Sequence, residues 1–208
     1  MTIRTLVFDF GNVLGSFSHR QAAEQLAALS PHSLNIQEII DFLYFTDLEP
    51  TLELGRLPAN GLLNLLRHRY DLRGSDEAIR TAYADMFTPL HANCALIPLL
   101  KQRYQLLLLS NTNELHYEQF RQQFADTLSH FDHLIVSHEV GLRKPDPRLY
   151  QYVEQIAGSR GQEILFIDDL PGNIAGAQTL GWRTLLYPRG GDLRAMLLQA
   201  GVEFVTRD

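Results

Sequence analysis

The chain has 208 residues, of which 45% are hydrophobic and 20% charged, with a formal net charge of -6. That balance suits an ordered globular protein of one large domain, or a core with a smaller insertion, and excludes a disordered chain. The acidic charge excludes the basic field that gathers nucleic acid or anionic membrane.

The single cysteine, Cys94, excludes an internal disulfide, fits a reducing, cytoplasmic setting, and reads as a small buried hydrophobe. The apolar start at Leu6–Phe8 is stopped by Asp9 and is too short for the core of a signal peptide. The longest apolar region, Leu96–Leu109, is interrupted by Lys101, Gln102 and Arg103, so it does not read as a membrane span.

In chain order, the first element is a short apolar run, Thr5–Phe8, that ends in Asp9 and a glycine-containing turn. Such continuous runs mark strands buried on both faces. Others fall at Gln105–Leu109, His133–Val136, Ile164–Ile167 and Arg183–Leu186, with a further short one at Glu203–Val205. Helical spacing lies between them, at Ala92–Arg103, Glu114–Ser129, Pro147–Ala157 and Asn173–Leu180. The third of these has Asp146 as N-cap, Pro147 at its first position and Gly158 as its stop. Alternation of strand and helix predicts a parallel sheet with right-handed crossovers.

One stretch does not alternate. Residues 16–87 contain no convincing strand, and Gln21–Leu29, Ile36–Phe45, Ala59–Arg69 and Asp76–Met86 read as amphipathic helices. Asn35, Pro58 and Ser75 supply start signals. The expected division is therefore an α/β core at 1–15 and 88–208, with a helical piece at 16–87 inserted after the first strand.

Carboxylates fall where strands end: Asp9, then Asp168 and Asp169 in ILFIDD, while Ser110 and Asn111 close LLLLSNTN. In an open parallel sheet, ligands bind beyond the carboxyl ends of the strands. If these three strands are neighbours, three acids meet in one crevice and repel each other unless a cation sits among them. Hard oxygen ligands suit Mg²⁺. Lys144, in the loop GLRKPDP, adds a fixed positive charge. Carboxylate, Mg²⁺, lysine and hydroxyl together make a phosphoryl-transfer site. Each residue alone also reads as an ordinary cap, turn acid or surface charge; their order at strand ends is what points to a site.

These segments resemble the motifs of the haloacid dehalogenase superfamily. FDFGNVL matches the first through Asp9, LLLLSNTN the second through Ser110, GLRKPDPRLY the third through Lys144, and FIDDLPGNIAGAQTLGW the fourth through Asp168, Asp169 and Asn173. All four occur in order across nearly the whole chain. Within that superfamily the wording is most similar to small bacterial phosphatases of the α-D-glucose 1-phosphatase type.

The resemblance implies a Rossmann-like core with a small helical cap at 16–87, in which ELGRLP, Glu53 to Pro58, is similar to a cap segment of the same branch. It further implies a Mg²⁺-dependent phosphomonoesterase in which Asp9 attacks phosphorus and Ser110 and Lys144 assist. Asp9, the Phe10 backbone carbonyl, Asp168 and Asp169 would hold the metal, and Asn173 would support the loop. Gly11, Asn12, Ser110, Asn111 and Lys144 would contact the substrate, a small phosphorylated metabolite. A monomer or weak homodimer is expected, with no nucleic-acid or membrane partner.

Gly11 departs from the pattern, because most phosphatases of the superfamily carry a second Asp there. A side chain in that place gives general acid–base help worth ~10²–10⁴ in rate. Three readings follow: a substrate with a good leaving group, such as a sugar 1-phosphate; a surrogate acid, with His19 and His116 as candidates; or a binding protein that has lost turnover. A metal-independent dehalogenase also tolerates Gly11, but adjacent acids beside an ionised nucleophile would then be costly. Tyr44, Phe45 and Glu53 are candidates for cap residues that meet the substrate.

Overall fold

The computed structural model describes residues 2–204. Five parallel strands form the central sheet: β1 (Thr5–Phe8), β4 (Gln105–Ser110), β5 (His133–Val136), β6 (Ile164–Asp168) and β7 (Arg183–Leu186), in the order β5-β4-β1-β6-β7. Two further short strands, β2 (Gly15–Phe17) and β3 (Phe87–Pro89), pair antiparallel outside it. The sequence expectation of no strand in 16–87 misses this pair, because three residues carry too little periodicity to read. Of the expected strand at Glu203–Val205, Glu203 and Phe204 are not in a strand, and Val205 lies outside the described residues.

β1 occupies the middle. Phe8 stands level with Leu108 of β4 on one side and Ile167 of β6 on the other. The chain leaves β1 for one side of the sheet and later returns to the other, which opens a crevice at the strand ends. Side chains alternate as the pleat requires. Leu6, Phe8, Leu106, Leu108, Leu165 and Ile167 join one core cluster; Val7, Leu107, Leu109, Ile164 and Phe166 join the cluster on the opposite face. Burial on both faces is why these strands read as continuous apolar runs.

Between β2 and β3 lie five helices: α1 (His19–Ala28), α2 (Ile36–Tyr44), α3 (Leu48–Glu53), α4 (Ala59–Tyr70) and α5 (Asp76–Ala84). Asn35 caps α2 by accepting from the Gln37 N–H, and Ser75 caps α5 by accepting from Ala78. The helices bury their own cluster around Leu26, Ile39, Leu62, Leu66 and Ile79. Short α3 escaped the sequence reading.

The core helices are α6 (His91–Cys94), α7 (Ile97–Leu100), α8 (Glu114–Gln123), α9 (Ala125–Leu128), α10 (Ser137–Val140), α11 (Pro147–Ala157), α12 (Pro171–Gln178) and α13 (Leu193–Gln199). The single helices expected over Ala92–Arg103 and Glu114–Ser129 are each divided in two. No described helix is long and apolar enough to cross a membrane.

The helical segment rests on the core through polar contacts at its edge. Arg80 Nη1 lies 2.6 Å from Glu118 Oε2, and the Ala59 N–H donates to Glu114 Oε2 at 2.9 Å. Arg143 Nε lies 2.8 Å from Glu53 Oε2. Gly55 has a φ of +66°, and a Cβ added there would stand 2.3 Å from the His138 carbonyl oxygen. Only glycine suits that approach.

Candidate active site

β1 and β6 deliver Asp9, Asp168 and Asp169 to one place. One carboxylate oxygen of each lies within 4.8 Å of the others. Lys144, on the loop before α11, reaches between them: its Nζ is 2.8 Å from Asp9 Oδ1 and 2.7 Å from Asp168 Oδ2. The lysine is 2% exposed, and the two carboxylates hold its pKa well above the ordinary value against the opposing effect of burial.

The three acids are not equivalent. Asp168 is fully buried and each of its oxygens meets two donors. Oδ1 accepts from the Leu170 N–H at 2.8 Å and from Asn173 Nδ2 at 3.0 Å; Oδ2 accepts from Lys144 and, also at 3.0 Å, from Asn173. Asp168 is an anchor for Lys144, and Asn173 supports the loop through it. Asp169 is half-buried and accepts from Asn12 Nδ2 at 2.8 Å; burial raises its pKa.

Asp9 Oδ1 accepts from the Phe10 N–H at 2.7 Å and meets Lys144. Its Oδ2 accepts no hydrogen bond from the described residues and faces Gly11. Burial, with the Asp168 and Asp169 charges added, pushes the Asp9 carboxyl up to about 7 in spite of Lys144. Three carboxylates against one ammonium leave an excess of buried negative charge. That donor set, hard oxygens with at least one free carboxylate oxygen, fits a hard divalent cation.

Other expected site residues are used differently. The Phe10 carbonyl does not face the site. It accepts from the Leu14 and Gly15 N–H groups at 2.9 and 3.0 Å, which closes the turn after β1. The proposed metal contact through Phe10 is therefore corrected; its ring packs on Phe120 at 3.9 Å. The Gly11 carbonyl accepts no hydrogen bond from the described residues, and Gly11 lines the cleft with Asp9 and Asp169.

Asn12 has a φ of +55°, a conformation that asparagine tolerates, and its amide holds Asp169. Asn111 uses both ends of its amide on the Lys144 backbone, donating at 3.0 Å and accepting at 2.8 Å. The side chains of Asn12 and Asn111 thus brace the cleft that both residues line. Ser110 is buried at the end of β4 and lines the inner cavity.

Burial weakens both histidines as bases. His19 stacks on Tyr44 at 3.7 Å, and burial lowers its pKa to about 4. His116 lies under Tyr83 with ring centroids 4.5 Å apart, and burial lowers its pKa to about 3. Burial favours the neutral ring in both, which weighs against the expectation that they act as surrogate acids.

Phe17 occupies the space beside Gly11. A Cβ at Gly11 would stand 3.1 Å from Phe17 Cε1. The missing acid is thus matched by an aromatic ring in its neighbourhood, a pairing the linear sequence does not reveal. Glu49 and Glu53 of α3 line the cleft with Asp9. Burial raises the pKa of both, that of Glu53 to about 7. The sequence offers no signal for Glu49, because its facing direction depends on how α3 packs.

Comparison with known proteins gives consistent findings. The profile of haloacid dehalogenase-like hydrolases matches residues 3–181. D-ribitol-5-phosphate phosphatase of Bacteroides thetaiotaomicron is 26% identical over 204 residues, covering 94% of this chain and 97% of that protein. A phosphatase of Mycobacterium tuberculosis is 27% identical, covering 93% and 91%. A superfamily enzyme of Bacteroides thetaiotaomicron, solved with magnesium and inorganic phosphate, superposes with a TM-score of 0.81 at 24% identity. That match covers 93% of this chain and 98% of that one.

Proposed function

The chain belongs to the haloacid dehalogenase-like hydrolase family, and from that premise we propose a Mg²⁺-dependent phosphomonoesterase that works through an aspartyl phosphate on Asp9. The observation that carries this reading is the asymmetry of Asp9: Oδ1 is held by Lys144 and the Phe10 N–H, while Oδ2 is free and faces the cleft. Two relatives named as phosphatases, matching over more than nine-tenths of the chain, support it.

Asp9, Asp169 and the Gly11 carbonyl would hold Mg²⁺, which when bound offsets phosphate charge and polarises the phosphoryl oxygens. Ser110 donates a hydrogen bond to a phosphoryl oxygen, and Lys144 keeps a fixed positive charge beside it. Asp9 Oδ2 attacks phosphorus, the bond to the ester oxygen breaks, and the alcohol leaves with a proton from solvent. Water then attacks the aspartyl phosphate, releases inorganic phosphate and returns Asp9 to a carboxylate. The helical segment covers the strand ends as a cap and limits the water that reaches phosphorus.

With glycine at position 11 the acid usually found two residues after the nucleophile is absent, and the carboxyls of α3 across the cleft are the groups left to hold a proton near neutral pH. The missing acid favours substrates whose leaving group needs little help, such as a hexose 1-phosphate. The test is phosphate release from purified protein across a panel of small phosphorylated metabolites with Mg²⁺. Sugar 1-phosphates are expected to exceed sugar 6-phosphates in kcat/KM, and Asp9→Asn to lower kcat by roughly 10³-fold or more while keeping the fold. An Asn variant as active as the parent would overturn the mechanism. Equal rates on the two ester classes would overturn the leaving-group argument alone.

A further inference from the structure

The phosphoryl site occupies only one end of the cleft. Beyond Ser110 and Asn111 an inner cavity of about 90 Å³ continues between the core and the helical segment, room for several waters or a short carbon chain. Part of its wall is apolar, from residues such as Leu43, Leu52 and Met86, and the rest is polar. Among its polar groups are His116 from the core, and Glu49 and Glu53 from α3.

The proton on His116 can be placed from its partners. Asn113 Oδ1 accepts from the His116 N–H at 3.1 Å as the cap of α8, which fixes the amide orientation. Asn113 Nδ2 then donates to Tyr83 Oη and to His116 Nδ1, both at 3.0 Å. Nδ1 is therefore an acceptor, and the neutral ring carries its proton on Nε2. That Nε2–H is buried and has no hydrogen-bond partner. His116 is only 8% exposed, so bulk water does not satisfy it. A buried donor without an acceptor is destabilising, and where one persists beside a cavity its acceptor is a water or a ligand atom held there.

The facing groups have the opposite character. Glu49 and Glu53 are one helical turn apart on α3 and line the same cavity. Glu53 Oε2 sits 2.8 Å from Arg143 Nε but makes no hydrogen bond with it. A ligand that accepts from one wall and donates to the other carries hydroxyl groups.

We propose that His116, with Glu49 and Glu53 opposite, reads the hydroxyls of a polyol or sugar phosphate, and that these three residues set specificity for a polyhydroxylated leaving group. The assignment rests on the phosphatase reading above. It makes His116 a binding residue with a fixed tautomer, held by Asn113 and Tyr83.

The test compares polyol and sugar phosphates with alkyl and cycloalkyl phosphates of equal carbon number, in the parent and in His116→Phe and His116→Gln. Phe keeps the ring stacked on Tyr83 and removes the donor; Gln keeps a donor. The parent is expected to prefer the hydroxylated esters. His116→Phe should reduce that preference roughly 10- to 100-fold, chiefly through KM, and His116→Gln should recover part of it. Leaving-group chemistry cancels when the two preferences are divided. A parent that cleaves alkyl esters as well as hydroxylated ones overturns the assignment, even if neither variant folds. So does a Phe variant with the preference intact. A parent that releases no phosphate even from acetyl phosphate overturns the phosphatase reading, and this assignment with it.

Discussion

Asp9 keeps its two oxygens in different company, one neutralised by Lys144 and one facing Gly11, and that difference has consequences in solution. In the cation-free fold its carboxyl sits near 7, against 3.8 in an unfolded chain. Between those values the folded state holds a proton that the unfolded state has released. This group therefore costs stability as pH rises from about 4 to about 7, and the cost is complete above that. A bound cation replaces the proton, so the rise in Tm on adding Mg²⁺ should be larger at about pH 8 than at about pH 5. Equal shifts at both would remove Asp9 from the metal set. Beside it, Phe17 makes a second prediction. Gly11→Asp places its Cβ against the Phe17 ring at 3.1 Å, so the single change should add little turnover on esters with poor leaving groups. Combined with Phe17→Ala it should add more, toward the ~10²-fold that a positioned acid provides. Kinetics on a sugar 6-phosphate decide between them.

At the scale of elements, the contact that seats α3 on the core is backbone against backbone. Gly55→Ala would strain a φ of +66° and press a methyl into the His138 carbonyl. A loss of roughly 1–3 kcal/mol is expected, or several degrees in Tm, read by calorimetry; an unchanged Tm would mean the two segments are not seated as described. The strands that carry the acids were legible in the sequence because burial on both faces leaves an unbroken apolar run, and their carboxyl ends follow from chain direction. Pro147–Ala157 was legible because cap, proline and glycine agree. What was not legible is orientation. Whether the Phe10 carbonyl faces a metal or the Leu14 and Gly15 amides is decided by a tight turn. Whether Asn111 meets a ligand or the Lys144 backbone is decided by a partner 33 residues away. Helices α3 and α10 are too short for periodicity to declare them, yet Gly55, just after α3, meets His138 of α10.

For the molecule as a whole, the sheet order β5-β4-β1-β6-β7 converts four separated motifs into one crevice. The helical segment keeps its own apolar cluster, distinct from the two that sandwich the sheet. The chain enters that segment through β2 and leaves it through β3, and those strands are paired, Phe17 level with Phe87. Entry and exit therefore lie side by side, and the core does not register how much polypeptide hangs between them. The segment's length and content can change without re-threading the sheet, so the wall over the cleft and the strand-end chemistry beneath it can vary separately.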